Sequence, residues 1–122
     1  MKRILVVEDN KLILETIAQS LTREGYEIIK AMDGKECLKL LDDNNFDLLI
    51  TDLYMPFING LELLSMLQEQ GRKTMPVLVL SAGGNEDNVL KAFEMGADDF
   101  MIKPFSLSEL NFRIRKLLMN RK

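Results

Sequence analysis

Five short apolar runs punctuate the chain, near residues 2–7, 26–31, 46–51, 76–81 and 98–102. Between and after them the spacing turns helical. Leu14, Ile17, Ala18 and Leu21 stand at i, i+3, i+4 and i+7, the period of one helix face. Leu38 and Leu41 mark a second helix, Leu64 and Leu67 a third, and Val89 and Phe93 a fourth. Leu107, Leu110, Ile114, Leu117 and Leu118 mark a fifth. The punctuation agrees. Gly25 follows the first helix and Gly71 closes the third, where a C-terminal glycine belongs. Asn59 and Gly60 open the third helix, and Asp33, Asn85 and Ser106 are N-cap residues by type.

Strand and helix therefore alternate five times. That pattern predicts an α/β fold, a parallel sheet with helices on both faces and right-handed crossovers. The first, third and fourth runs are almost wholly apolar, as buried central strands are. The second, Tyr26-Glu27-Ile28-Ile29-Lys30, alternates and suits an edge, as does the short fifth. The expected order is 2-1-3-4-5, a flavodoxin-like doubly wound (βα)5 arrangement with its switch point between strands 1 and 3. No repeat, low-complexity run or linker interrupts residues 1–122, which read as one domain.

Composition narrows the function. The chain has 122 residues, 47% hydrophobic and 29% charged, with net charge −3 and a pI near 5.0. That balance argues against direct nucleic-acid binding by the domain as a whole. Arg113, Arg115, Lys116, Arg121 and Lys122 crowd the C-terminal segment without an acid. They read first as the cationic end of a helix, and second as a partner surface or a junction to another domain. One cysteine, Cys37, rules out an internal disulfide and suggests a reducing, cytoplasmic setting. It falls in an apolar helical pattern and reads as core. There is no histidine, so Ser-His-Asp and Cys-His catalysis are excluded within these residues. The N-terminal apolar run is too short for a signal peptide or a membrane span.

Chemistry gathers at the ends of the runs. Ile4-Leu5-Val6-Val7 stops at Glu8-Asp9, and Leu48-Leu49-Ile50-Thr51 stops at Asp52. Val77-Leu78-Val79-Leu80 stops at Ser81, and Phe100-Met101-Ile102 at Lys103-Pro104. In open α/β sheets, sites lie beyond the strand carboxyl ends. Each residue alone has a plainer reading: a turn acid, a cap (Asp9 for the first helix), a strand-end hydroxyl, a solvated lysine. Three acids at one switch point would repel one another, and a hard divalent cation, Mg²⁺ or Mn²⁺, resolves that conflict. Asp52 would then be the nucleophile toward a phosphoryl group, with Ser81 and Lys103 gripping its oxygens. Pro56 forces Met55 into extended backbone, which shapes the loop so that the Tyr54 carbonyl can join the metal ligands.

Val7-Glu8-Asp9-Asn10, Asp52-Leu53-Tyr54-Met55-Pro56 with Gly60, Ser81-Ala82, and Gly96-Ala97-Asp98-Asp99-Phe100-Met101-Ile102-Lys103-Pro104-Phe105 occur in order at the run ends. Together they resemble the receiver domain of two-component response regulators over essentially the whole chain. The resemblance implies that Asp52 accepts phosphate from a phosphohistidine on a sensor histidine kinase or a histidine phosphotransfer protein. It implies a metal held by Glu8 (through water), Asp9, Asp52 and the Tyr54 carbonyl. It places Ser81, Ala82 and Lys103 about the phosphoryl group, makes Phe100 the aromatic that turns inward on activation, and implies a trans-to-cis change at Lys103-Pro104. Phe100 stands where many relatives have tyrosine, so coupling here must rest on packing.

Glu94, Asp98, Asp99, Glu109, Arg113 and Arg115 resemble the charges through which some receivers form a phosphorylation-dependent homodimer across the fourth helix, fifth strand and fifth helix. Those receivers usually precede a winged-helix DNA-binding domain, here expected after residue 122. Val89 stands where that subfamily has a basic residue, which removes one expected ion pair. A stand-alone receiver working by protein contacts is the alternative, and a degenerate receiver is a further one. A phosphohydrolase of haloacid-dehalogenase type needs a second aspartate where Tyr54 stands. A mononucleotide binder needs a hydroxyl- or glycine-rich loop where Glu8-Asp9-Asn10-Lys11 stands. The expectation is a switch and not an enzyme, beyond self-phosphorylation and slow autodephosphorylation. The resemblance places Tyr54 and Gly83, two residues beyond Asp52 and Ser81, beside the attacking water's path, and Tyr54 is expected to shield the acyl phosphate in part.

Overall fold

A computed structural model describes residues 1–71, 74–83 and 86–119 of the chain. Asn85, Gly84, Arg121 and Lys122 lie outside the described residues. The elements are β1 (Arg3–Val7), α1 (Lys11–Arg23), β2 (Glu27–Ala31), α2 (Gly34–Asp43), β3 (Leu48–Asp52), α3 (Gly60–Glu69), β4 (Val77–Ser81), α4 (Glu86–Glu94), β5 (Asp99–Ile102) and α5 (Leu107–Met119). The five strands are parallel and ordered β2-β1-β3-β4-β5, as the run pattern predicts.

Side-chain alternation splits the core in two. Ile4, Val6, Leu48, Ile50, Leu78, Leu80 and Met101 face α1 and α5, packing with Leu14, Ile17, Leu21, Leu110 and Ile114. Leu5, Val7, Leu49, Val77, Val79 and Phe100 face the other way, packing with Cys37, Leu63, Leu64, Leu67 and Ala92. Each fully buried aliphatic side chain contributes roughly 1.5–3 kcal/mol of transfer free energy. Phe100 is already turned into this second layer.

The helix ends follow their cap residues. Asn10, not Asp9, caps α1, accepting from the Ile13 N–H. Asp33 caps α2. Asn59 and Glu62 form a reciprocal capping box on α3. The Ser106 hydroxyl accepts from the Glu109 N–H at the start of α5. One expected core position fails: on α4 it is Ala92 that is buried, while Phe93 is 44% exposed. The Ala92 methyl lets this short helix lie close to the sheet, and Phe93, a third of a turn away, is left at the rim.

At the amino edge of the sheet two aspartates do the same job. The Arg3 N–H donates to Asp47 Oδ2 and the Asp47 N–H to the Arg3 carbonyl, both at 2.8 Å. The Val77 N–H donates to Asp98 Oδ2 and the Asp98 N–H to the Val77 carbonyl, again at 2.8 Å. β1 is thereby stapled to β3, and β4 to β5, at the end opposite the strand carboxyl termini.

Candidate functional site

The pairing register brings the acids together. Val7 is opposite Thr51 and Asp52 is opposite Leu80, so Glu8, Asp52 and Ser81 emerge side by side. Oxygens of Glu8, Asp9 and Asp52 all lie within 4.8 Å of one another. Glu8 is fully buried and Asp52 is 5% exposed, whereas Asp9 faces solvent. Backbone donors fix the two buried carboxylates: the Asn10 N–H on Glu8 Oε2 at 3.0 Å, and the Leu53 N–H on Asp52 Oδ1 at 3.0 Å.

Lys103 completes the cluster from the end of β5. Its Nζ lies 2.6 Å from Glu8 Oε1 and 3.3 Å from Asp52 Oδ1. Burial raises both carboxyls above their ordinary values; Lys103 opposes that rise, while Asp52 adds to it at Glu8 and Asp9 adds to it at Asp52. Burial works against the Lys103 charge, but the Glu8 and Asp52 carboxylates outweigh it and hold the ammonium above its ordinary value. The Lys103–Pro104 peptide is cis, so the isomer that the resemblance expects to be reached by a change is the one present. The Ser81 hydroxyl donates to the Gly83 carbonyl at 3.0 Å and accepts from the Gly83 N–H at 3.3 Å, within its own loop.

The floor of the site is built by glycine. A Cβ on Gly60 would fall 2.7 Å from the Asp52 carbonyl and 2.9 Å from Leu53 Cα, so only a bare backbone lets α3 start beneath Asp52. The Gly60 N–H donates to the Leu53 carbonyl at 2.8 Å. Thr51 Oγ1 donates to the Asp52 carbonyl at 3.0 Å. Gly34, at the head of α2, meets Ile58 of the same loop just as closely: a methyl on Gly34 would fall 2.7 Å from the Ile58 Cβ. Between them Phe57 takes φ 70°, in the left-handed region, with the Lys35 ammonium 4.6 Å from its ring centre.

Three hard oxygen acids around one point, two of them desolvated, suit a small divalent cation.

The family model for the response regulator receiver domain matches residues 4–115. This chain belongs to that family. The receiver is 38% identical to the alkaline phosphatase synthesis transcriptional regulatory protein PhoP of Bacillus subtilis, over 96% of this chain and 48% of that protein. It superposes on a Francisella response regulator receiver domain with TM-score 0.94 at 35% identity, covering all of both chains. It superposes on the Thermotoga maritima response regulator TrrA, solved with Mg²⁺ and BeF, with TM-score 0.85 at 38% identity, covering 96% and 99%. The receiver spans about half the length of the curated relatives it matches, and these are named as regulators of transcription.

Within the chain, the charges of the expected dimer face have several different neighbours. Arg113 bonds Asp99 at 2.7 Å and Glu109 at 3.1 Å within the chain. Asp98 is engaged at the amino edge of β4. Arg115 acts on Tyr26, beside α1, and Glu94 is exposed at the end of α4. Sequence reasoning missed Gly34, Thr51 and one further contact: the Asn88 amide, on α4, donates to the Tyr54 hydroxyl. The Gly34 and Asn88 contacts join segments distant in sequence, which only the folded chain brings together. Among the described residues, no helix is long and apolar enough to cross a membrane.

Proposed function

We infer that residues 1–122 form the phosphorylation-controlled switch of a two-component system or phosphorelay. The observation that carries this is the Asp52 carboxylate, 3.3 Å from the Lys103 ammonium and within 4.8 Å of Glu8 and Asp9 oxygens. Asp52 Oδ attacks phosphorus of a phosphohistidine, the N–P bond breaks, and the imidazole leaves with the electron pair. Glu8, Asp9, Asp52 and the Tyr54 carbonyl would hold Mg²⁺. When bound, that ion offsets charge on the phosphoryl oxygens. Lys103 supplies a fixed positive charge beside them, and the N–H groups and hydroxyl of the Ser81-Ala82 loop supply donors. An apolar cleft of about 520 Å³, lined in part by Leu12, Ile13, Thr16, Pro104 and Phe105, opens beside Lys103 and gives a histidine-bearing partner a seat next to the site.

The phosphoryl group brings about two negative charges, and Ser81 turns from Gly83 to meet it. Phe100 and α4 then repack, because they share the layer behind that loop. Relatives named as transcriptional regulators support a DNA-binding output domain beyond residue 122 in a cytoplasmic protein, with dimerisation across α4, β5 and α5 on activation.

Acetyl phosphate with Mg²⁺, read by intact mass on wild type and Asp52→Ala, tests the reading. A metal-dependent gain of one phosphoryl mass that the variant lacks is expected. Equal gain in both proteins would overturn the assignment of Asp52.

A further inference from the structure

One side-chain contact ties the loop after β3 to α4. The Asn88 amide nitrogen donates to the Tyr54 hydroxyl at 2.5 Å, 34 positions apart in sequence. Tyr54 leaves the chain two residues beyond Asp52, and Asn88 sits in the first turn of α4. β3 and β4 are neighbours, with Asp52 opposite Leu80. The Tyr54 side chain therefore reaches from the loop after Asp52 to the helix that follows the loop bearing Ser81. Tyr54 is 55% exposed. Packing alone does not fix a ring that open, since an exposed side chain on a loop exchanges among rotamers on a ps–ns timescale. The bond to Asn88 selects the rotamer that reaches α4.

We propose that Asn88 is a positioning residue for the phosphoaspartate: it holds the Tyr54 ring across the path of attacking water, so that α4 sets how long Asp52 stays phosphorylated. This rests on the phosphoacceptor reading above. The step under control is hydrolysis. The water oxygen bonds to phosphorus, the bond from phosphorus to Asp52 Oδ breaks, and the carboxylate recovers the electron pair. The water protons leave on inorganic phosphate and to solvent. Asn88 touches none of these atoms and acts through Tyr54. Because α4 follows the loop that bears Ser81, any movement of α4 carries the far anchor of the ring with it. The helix that reports phosphorylation thus also governs its duration.

The test uses wild type, Asn88→Ala, Asn88→Asp, Tyr54→Phe and the Asn88→Ala/Tyr54→Phe double variant. Each is phosphorylated with acetyl phosphate and Mg²⁺, freed of donor, and followed by intact mass as the phosphoryl group is lost. Asn88→Ala and Tyr54→Phe should each lose it roughly two- to tenfold faster, the range of one neutral hydrogen bond. The double variant should decay no faster than the quicker single, since both remove the same bond. Asn88→Asp, which accepts from the tyrosine O–H, should stay within about twofold of wild type. Unchanged decay in both single variants would overturn the proposal, as would effects that multiply in the double. A wild type that takes up no phosphoryl group would instead overturn the phosphoacceptor reading itself, and the role of Asn88 with it.

Discussion

Gly60→Ala is the sharpest probe of how the fold positions Asp52. Gly60 is not among the glycines with positive φ, so alanine fits the backbone conformation there and only space is at issue. The added methyl would lie 2.7 Å from the Asp52 carbonyl and 2.9 Å from Leu53 Cα, and both obstacles are backbone. Neither can swing aside as a side-chain tip would. The carbonyl also accepts from Thr51, so it must shift by several tenths of an ångström against that bond. Overpacking of this kind costs about 1–3 kcal/mol. Alanine recovers at most about 1 kcal/mol of helix propensity, and less at the first helical residue. The clash wins. With a urea m-value of roughly 1–3 kcal/mol/M, the unfolding midpoint should fall by on the order of 1 M at unchanged m. The Asp52 carboxylate moves with its carbonyl, so phosphoryl uptake from acetyl phosphate should slow as well. Gly83→Ala is the control: its methyl meets nothing within 4 Å, and its stability should stay within about ±0.5 kcal/mol of wild type. A Gly60→Ala protein as stable as Gly83→Ala, taking up phosphate at the wild-type rate, would refute the reasoning.

Three further outcomes follow from the same geometry. Asp52→Asn removes a desolvated charge and leaves Lys103 paired with Glu8, so in chelator it should be more stable than wild type by on the order of 1 kcal/mol, and Mg²⁺ should raise its thermal midpoint far less; equal Mg²⁺ shifts in both proteins would contradict this. Burial raises Glu8 on folding, and a raised carboxyl adds stability that is complete below its unfolded pKa of about 4 and lost as pH rises through the folded value. Metal-free wild type should therefore gain on Glu8→Gln as pH falls through the raised folded value toward the unfolded value of about 4, and a constant gap in urea titrations along that fall would count against it. Asp98→Ala strips the Val77 N–H of its carboxylate acceptor and should cost about 1–3 kcal/mol, with Asp98→Asn milder because it keeps an oxygen there; chemical denaturation of both variants decides.

The elements are legible where the chain states them twice. Leu48-Leu49-Ile50 is too short for a helix and too apolar for a surface strand, and the aspartate that ends it can only emerge at the carboxyl edge. Glu8, Asp52, Ser81 and Lys103 are readable for that reason: residue type and strand end coincide. Asn88 is not, because nothing local in Asn88-Val89-Leu90 announces a tyrosine from another loop. Gly34 is not, because its constraint is the approach of Ile58. Phe93 escapes the pattern because periodicity gives a face but not its centre, and the close approach of α4 through Ala92 moves that centre by one residue. Asp98 and Arg115 group by charge in the sequence, and the fold sends them to different neighbours.

The carboxylate staples of Asp47 and Asp98 have a mechanical meaning. Strands of four or five residues reach only about 13–16 Å, and at the amino margin β1 is bound to β3 and β4 to β5, like the spine of a book. A disturbance at Asp52, on β3, then meets a strand held to β1 at its far end and is not absorbed by β3 sliding along β1. It is turned sideways, into the loops and helices at the open margin, and the direction in which this molecule can speak is set by the end that is sewn shut.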